Sequence, residues 1–172
     1  MGLEEHRREA PERLRFAVIT ISDTRTAATD KGGDTLVRAI EGAGHLVQAR
    51  ERVRDQARAI TVAVRRAATD PEVDLVLTTG GTGIAPRDVT FDTLREVFDS
   101  EIPGFGELFR WLSYKQIGSA TLLSRALGGL IKGKVVLALP GSPKALELAM
   151  HEIVLKEAGH LVSQASGGAR RP

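Results

Sequence analysis

Short apolar runs alternate with amphipathic segments along this chain. Phe16–Ile21, Asp74–Thr79 and Lys134–Leu139 are rich in Val, Ile and Leu without regular polar interruption. Such runs are typical of strands that are buried on both faces of a sheet. Leu46–Val53 is a run of similar length with fewer apolar residues. The pattern therefore predicts strands in these places.

Between the runs, apolar residues recur at intervals of three and four, which is the period of an amphipathic helix. We predict helices over Asp34–Ala43, over Gln56–Thr69 and from Pro143 to about Val162. Gly44 follows the first of them as a C-terminal stop. The pattern of Thr90–Leu127 is mostly helical, with interruptions at Pro103, Gly104, Gly106 and Gly118.

The alternation of strands and helices predicts an α/β fold with a doubly wound, mostly parallel sheet and helices on both faces. A chain of 172 residues fits one domain. We place that domain at residues 14–165, between flexible tails at residues 1–13 and 166–172. Ligands of such sheets bind beyond the carboxyl ends of the strands. The loops that follow the predicted strands are therefore where a site is expected.

Composition narrows the classes of function. The chain has no cysteine, which excludes disulfide bonds, thiolate metal sites and a cysteine nucleophile. No run approaches the roughly 20 apolar residues that cross a bilayer, and the charged N-terminus lacks a signal-peptide core. We expect a cytoplasmic protein with no membrane partner. A formal net charge of +2, scattered basic residues and few aromatic residues argue against nucleic-acid binding.

A glycine-rich loop, Thr79-Gly80-Gly81-Thr82-Gly83, directly follows one predicted strand. Its glycines let the main chain turn with positive φ and present N–H groups to an anion. The loop lacks the Gly-Lys-Ser/Thr of a P-loop and the third glycine of the dinucleotide fingerprint. It therefore predicts a phosphate-binding loop of another type.

Two more loops follow predicted strands. In Ser22-Asp23-Thr24, a hydroxyl and a carboxylate either contact ligand or metal or close a local turn. In Pro140-Gly141-Ser142-Pro143-Lys144, Ser142 suits the N-cap and Pro143 the first helical position. The same geometry directs backbone donors and the helix dipole at a phosphate, so both interpretations of this loop hold together.

Asp55 and Asp88 are the candidate catalytic and metal-binding carboxylates. Asp55 follows the second predicted strand and precedes Gln56, so its structural alternative is an N-cap. Asp88 follows the glycine-rich loop beside Arg87, and its alternative is a turn or cap residue. Two carboxylates with two phosphate-binding loops indicate Mg²⁺ and nucleotide chemistry. Such transfers need positioning and charge neutralisation, and no protein nucleophile.

Five ordered motifs resemble the MogA/MoaB family of molybdenum-cofactor biosynthesis, which is related to the G domain of gephyrin. Within about residues 15–155 they are Ile21-Ser22-Asp23, Thr79–Gly83 with Arg87–Thr90, Gly104–Arg110, Ser124-Arg125-Ala126 and Leu139–Ala145. The Gly-Phe-Gly-Glu segment at Gly104–Glu107, with Leu112-Ser113-Tyr114 and Ile117-Gly118 behind it, is more similar to the MoaB branch.

The resemblance implies a molybdopterin adenylyltransferase, which converts molybdopterin and Mg-ATP to adenylyl-molybdopterin and pyrophosphate. Asp55 and Asp88 look like the family's essential acidic residues and would hold Mg²⁺. The alternatives are a non-catalytic molybdopterin carrier or scaffold and a hydrolase of nucleotide pyrophosphates. The resemblance further implies a homotrimer or hexamer, in which Phe105, Phe109 and Trp111 serve either the interface or the core. It also leaves room for a molybdenum-insertion protein as a partner.

The resemblance implies a set of binding residues as well. Ser22, Asp23 and the Thr79–Gly83 loop would line the nucleotide and pterin crevice. Three residues of the Gly-Phe-Gly-Glu region would lie in its pterin part, and Arg110 among them has a salt bridge as its alternative role. The full predicted set is Ser22, Asp23, Thr79, Gly80, Gly81, Thr82, Gly83, Glu107, Arg110, Ser113, Pro140, Gly141 and Ser142.

Overall fold

A computed structural model describes residues 13–167. Most of both predicted tails lies outside these residues. In chain order the elements are β1 (Arg15–Ile21), α1 (Lys31–Gly42), β2 (Leu46–Val53), α2 (Ala57–Thr69), β3 (Leu75–Thr79), α3 (Thr90–Val97), β4 (Ser100–Glu101), α4 (Pro103–Ile117), a 3₁₀ segment (Gly118–Leu123), β5 (Leu127–Ile131), β6 (Lys134–Leu139), α5 (Pro143–Ala149), a π-helical segment (Met150–Val154) and α6 (Leu155–Ala165).

The strands form one six-stranded sheet in the order β2-β1-β3-β6-β5-β4. Strands β2, β1, β3 and β6 are parallel, whereas β5 runs antiparallel to β6 and β4 antiparallel to β5. The mostly parallel α/β sheet predicted from the sequence is confirmed. Because β1, β2, β3 and β6 are parallel, their carboxyl ends lie at one edge of the sheet.

Alternate residues of each central strand pack into two separate cores. In β1, Phe16 and Val18 join the core that contains residues of α1, α4 and α5, whereas Ala17 and Ile19 join the core formed with α2 and α3. This division follows from the two-residue period of a strand, which points neighbouring side chains to opposite faces. Burial on both faces explains why the strand runs are apolar without alternation.

The predicted helical segment Thr90–Leu127 contains more than helices. Helices α3 and α4 lie within it, but β4 separates the two helices and the 3₁₀ segment follows α4. Beyond it, β5 and β6 form a hairpin whose turn has Lys132 at φ 51° and Gly133 at φ 73°. Strand β5 is absent from the predicted strands because it contains glycines, and glycine has a low strand propensity. A Cβ on Gly129 would lie 2.2 Å from the ring of Phe98, so packing requires glycine there.

The last helical stretch is longer and less regular than predicted. It reaches Ala165 and contains the π-helical segment between α5 and α6. Helix α1 begins at Lys31, three residues before the predicted start at Asp34. The error arose because Gly32-Gly33 disfavours a helix. Glycine is nonetheless required at position 33, because a Cβ there would lie 2.3 Å from a carboxylate oxygen of Asp30, the N-cap residue.

Asp30 joins three elements through one buried carboxylate, which is 1% exposed. It accepts hydrogen bonds from the Thr20 hydroxyl on β1 (2.9 Å), the Gly33 N–H in α1 (2.9 Å) and the Arg50 guanidinium on β2 (3.0 Å). Arg50 also donates to Asp34 at 2.7 Å. Burial opposes the charge of Arg50, but its hydrogen bonds to Asp34 and Asp30 hold its pKa above the ordinary value. The cluster fixes α1 against the ends of β1 and β2.

We expect Asp30→Ala to lower the free energy of unfolding by about 2–4 kcal/mol, because it removes a helix cap and leaves the Thr20 hydroxyl and Arg50 without this partner. Asp34→Ala is the matched control. Asp34 bonds the same guanidinium but is 44% exposed, so its loss should cost less than about 1 kcal/mol. Urea denaturation of both variants measures the difference, and equal losses would contradict the role given to Asp30.

Candidate functional site

The loops that follow β1, β2, β3 and β6 enclose a cleft of about 490 Å³ at the carboxyl edge of the sheet. This volume lies within the range of small-molecule sites. The strand-end loops singled out in the sequence therefore converge on one cavity. The predicted residues that line it are Ser22, Asp23, Asp55, Thr79, Gly80, Gly81, Asp88, Gly141 and Ser142.

Other predicted residues lie in the same loops without lining the cleft. Thr82 is buried, and its carbonyl and that of Gly83 accept hydrogen bonds from Arg125. The carbonyl of Pro140 accepts a hydrogen bond from the Thr79 hydroxyl at 2.9 Å. These contacts hold the loops in place, while their neighbours face the cavity.

Glu107, Arg110 and Ser113 lie on α4 and do not line this cleft. Glu107 is exposed, Ser113 is 5% exposed, and the Arg110 guanidinium donates to the carbonyl of Ala126 at 3.0 Å. This main-chain contact, in place of the salt bridge considered for Arg110, ties α4 to the start of β5. A pterin-binding role of the three residues stays a prediction.

Two glycines bring the loop after β3 against the ends of β1 and β2. Gly80 has φ 105°, and a Cβ there would lie 2.2 Å from the carbonyl oxygen of Ile21. Gly81 has φ 66°, and a Cβ there would lie 2.9 Å from Oδ1 of Asp55. The N–H of Gly80 donates to the carbonyl of Leu139 at 3.0 Å, so this donor is used inside the protein. Both positions require glycine.

Asp55 does not cap α2. The N-cap residue of that helix is Gln56, and no side chain caps its N-terminus. The main-chain N–H of Asp55 donates to Oδ1 of Asp23 at 3.2 Å, which joins the loops after β1 and β2. Oδ1 of Asp55 is buried and has no hydrogen-bond partner within residues 13–167. The N-cap alternative is therefore wrong.

The surroundings of Asp55 disfavour its negative charge. Burial raises the pKa of this carboxyl above its ordinary value, and a hydrogen bond from the main chain of Val89 acts in the opposite direction. The negative charges of Asp88 and Asp23 raise the pKa further, while Arg87 lowers it. A buried carboxylate beside like charges is the arrangement that functional sites often contain.

Asp88 has a structural role in its own loop. Its Oδ2 accepts the N–H of Ala85 at 2.9 Å, and its N–H donates to the carbonyl of Ala85 at 2.8 Å. A Cβ on Gly83 would lie 2.6 Å from Oδ2. Asp88 is therefore a turn residue, as its structural alternative predicted, and it also borders the cleft. It does not cap α3, whose N-cap residue is Val89.

Ser22 and Ser142 differ in how their hydroxyls are used. Oγ of Ser22 accepts the N–H groups of Thr24 (3.2 Å) and Arg25 (3.1 Å), so the predicted local turn is present inside the cleft wall. Ser142 is the N-cap residue of α5, with Pro143 at the first helical position, but its side chain makes no capping hydrogen bond. Its hydroxyl therefore remains available to a ligand.

The cleft also contains residues that the sequence analysis did not select, among them Thr20, Arg25, Asp30 and Gly32. Thr20 could have been selected from the sequence, since it is a polar residue within an apolar strand run. Asp30 stands at the start of α1, where an Asp favours an N-cap, but Gly32-Gly33 obscured the helix start. The N-termini of α1 and α5 both border the cavity, and helix N-termini favour anions.

Two features are absent from residues 13–167. No helix in that range has the length and apolar character to cross a membrane. In the same residues no group of three or more His, Cys, Asp or Glu side chains has the geometry of a metal site.

Comparison with known proteins places the chain in a family. Residues 17–160 match the family described as "Probable molybdopterin binding domain". Molybdenum cofactor biosynthesis protein B of Bacillus cereus is 48% identical over 162 residues, which cover 94% of this chain and 96% of that protein.

Solved structures agree. A crystal structure of a molybdenum cofactor biosynthesis protein B has a TM-score of 0.88 and 47% identity, covering 92% of this chain and 99% of that one. The tungsten cofactor synthesizing protein MoaB from Pyrococcus furiosus has a TM-score of 0.80 and 35% identity, covering 91% of this chain and 99% of its own. The chain therefore belongs to the MogA/MoaB family of molybdenum-cofactor biosynthesis proteins, within its MoaB branch.

Proposed function

We propose that this protein adenylylates molybdopterin with Mg-ATP. In this reaction a terminal phosphate oxygen of molybdopterin forms a bond to the α-phosphorus of ATP, and the bond from that phosphorus to the β-phosphate oxygen breaks. Pyrophosphate leaves with the electron pair of the broken bond. The observation that carries the proposal is the pair Asp55 and Asp88 on the wall of one cleft, in a chain of this family.

The two carboxylates fit Mg²⁺. Within residues 13–167 the buried Oδ1 of Asp55 has no hydrogen-bond donor, and burial, together with the charges of Asp88 and Asp23, raises the pKa of Asp55. Mg²⁺ is commonly held by one or two carboxylates together with phosphate oxygens and water. We infer that Asp55 and Asp88 hold the ion, which when bound would neutralise negative charge on the triphosphate.

The remaining residues of the cleft suit an anionic substrate. Arg25 and Arg87 line it and supply positive charge. The N-terminus of α5 borders it through Ser142 and Pro143, and helix N-termini favour anions. Since phosphoryl-type transfer depends on positioning and charge stabilisation, no protein nucleophile is required. We infer that these groups bind the triphosphate and orient its α-phosphorus toward molybdopterin.

A carrier that binds molybdopterin without chemistry is the alternative. Binding of molybdopterin alone requires no carboxylate pair for Mg²⁺, whereas Asp55 and Asp88 both border the cleft. A hydrolase of nucleotide pyrophosphates would consume ATP without forming a pterin adduct. The reaction products therefore separate the three functions.

Incubation of the protein with molybdopterin and Mg-ATP should yield adenylyl-molybdopterin and pyrophosphate, detected by mass spectrometry. Asp55→Asn and Asp88→Asn should each lower kcat by about 100-fold or more, because each removes charge stabilisation in the cleft. Asp34→Asn is the control, since this carboxylate lies outside the cleft on α1 and its loss should leave the rate unchanged.

Molybdopterin bound without product would support the carrier in place of the transferase. Pyrophosphate or AMP formed without pterin adduct would support the hydrolase. A full rate in either Asp variant would restrict that residue to a structural role.

Asp55→Asn should also raise the free energy of unfolding at pH 8 without Mg²⁺, by less than about 1 kcal/mol because solvent screens part of the charge. A carboxyl whose folded pKa is raised stabilises the fold when protonated, and this contribution is lost as pH rises through the folded pKa. The difference between wild type and variant should therefore shrink toward pH 4. Urea denaturation in EDTA at both pH values measures it, and a less stable variant at pH 8 would refute the destabilising charge.

We also propose that the protein is a homotrimer or hexamer. Helix α4 exposes Leu108, Trp111, Tyr114 and Ile117 by 42–60%, and such apolar patches are typical of interfaces. Phe105 and Phe109 instead lie in the core, so of the three aromatic residues considered for the interface only Trp111 is available.

Trp111→Glu should therefore shift the sedimentation coefficient toward that of a monomer, because it places a charge in the patch. Val62→Glu is the matched control, since Val62 is an apolar residue of α2 with a similar exposure of 56%. Sedimentation velocity at micromolar concentration measures the effect. A monomeric wild type, or equal behaviour of both variants, would rule out this interface.

A further inference from the structure

One arginine holds the glycine-rich loop at several points. Arg125 lies between the 3₁₀ segment and β5, and its main-chain N–H donates to the carbonyl of Thr82 at 2.8 Å. Its Nε donates to the carbonyl of Gly83 at 2.9 Å, and Nη2 donates to the carbonyl of Asp88 at 2.8 Å. A single residue from a distant part of the chain thus supports both ends of the segment that leads to Asp88.

The guanidinium is itself held on its other side by α3. Its Nη1 donates to Oδ2 of Asp92 at 2.9 Å, and the group lies over the ring of Phe91 at 4.9 Å. The planar fork of an arginine matches several acceptors at once and stacks on an aromatic ring. The Arg125 side chain is 27% exposed, so its contacts are only partly open to water. The group is therefore fixed in one orientation.

The segment from Gly83 to Asp88 forms an arch with the Asp88 carboxylate inside it. Oδ2 of Asp88 accepts the N–H of Ala85 at 2.9 Å and lies 2.6 Å from the position of a Cβ on Gly83. The carbonyls of Gly83 and Asp88, at the two ends of the arch, are the two that the Arg125 guanidinium binds. One guanidinium therefore bridges the two ends of the arch.

We propose that Arg125 is a positioning residue that holds the Asp88 carboxylate at the cleft by closing the Gly83–Asp88 arch. The cleft is lined by Asp88 but not by Arg125, which acts through the main chain of the loop. The proposal rests on the proposed function only in so far as Asp88 there holds Mg²⁺. Lysine cannot replace this residue, because one ammonium group lacks the planar fork that reaches both carbonyls.

The test is Arg125→Lys in the full-length protein. Without ligands, amide hydrogen exchange in residues 82–90 should become faster, because the two ends of the arch lose their common donor. With ATP present, the affinity for Mn²⁺, used as a paramagnetic probe in place of Mg²⁺, should fall by about 10–100-fold. The kcat should fall more than the KM for molybdopterin changes, and added guanidinium chloride at millimolar concentration should partly restore an Arg125→Ala variant.

Arg95→Lys is the matched control. The Arg95 guanidinium lies over the same Phe91 ring at 5.5 Å and donates to the exposed Glu101, and its contacts lie outside the arch. Its substitution should leave hydrogen exchange in residues 82–90 and Mn²⁺ affinity unchanged. A similar change in both variants would attribute the effect to the aromatic contact and overturn the proposal.

Unchanged exchange in residues 82–90 of Arg125→Lys would also overturn it. Should that variant not fold, Asp92→Asn takes its place, because Asp92 is 67% exposed and its loss removes one attachment of the guanidinium. Faster exchange in residues 82–90 supports the proposal and unchanged exchange rejects it. If the wild-type protein makes no adenylyl-molybdopterin, the proposed function fails, while hydrogen exchange still decides whether Arg125 closes the arch.

Discussion

The main chain of the glycine-rich loop approaches the ends of β1 and β2 more closely than any side chain permits. A Cβ on Gly80 would meet the Ile21 carbonyl at 2.2 Å, and a Cβ on Gly81 would meet Oδ1 of Asp55, which follows β2, at 2.9 Å. This close approach brings the end of β3 beside Asp55 and closes the cleft on one side. The Gly80 N–H also donates to the Leu139 carbonyl at 3.0 Å, which ties this loop to the end of β6.

Two carboxylates at this edge of the sheet differ in how completely they are hydrogen-bonded. The Asp30 carboxylate is buried but fully engaged, with hydrogen bonds from β1, α1 and β2, and it therefore supports the fold. The Asp55 carboxylate has a buried oxygen with no partner among residues 13–167, and it lies near Asp88 and Asp23. Two aspartates in one cleft thus differ in role because their hydrogen-bond partners differ. The proposed Mg²⁺ site lies at the second of these carboxylates.

Much of the fold could be predicted because local patterns agree with the tertiary structure. The runs at β1, β3 and β6 are apolar because both sheet faces are covered, and that signal needs no knowledge of neighbours. Strand β5 was missed because packing against Phe98 demands Gly129, which removes the side chain that would have given a signal. The start of α1 was misplaced for a similar reason, since Gly33 is set by the Asp30 carboxylate beside it.

The sequence by itself determined the sheet type, the loops at the strand ends and the candidate carboxylates, because these follow from residue types that are near one another in the chain. Only the tertiary structure decided that Oδ1 of Asp55 has no hydrogen-bond partner within residues 13–167, that α4 lies away from the cleft, and that Arg125 binds carbonyls 37 and 42 residues away. Those features depend on atoms that meet after folding, and a main-chain carbonyl has no signature in a sequence. The glycine-rich loop was therefore recognisable in advance, whereas the side chains that hold it were not.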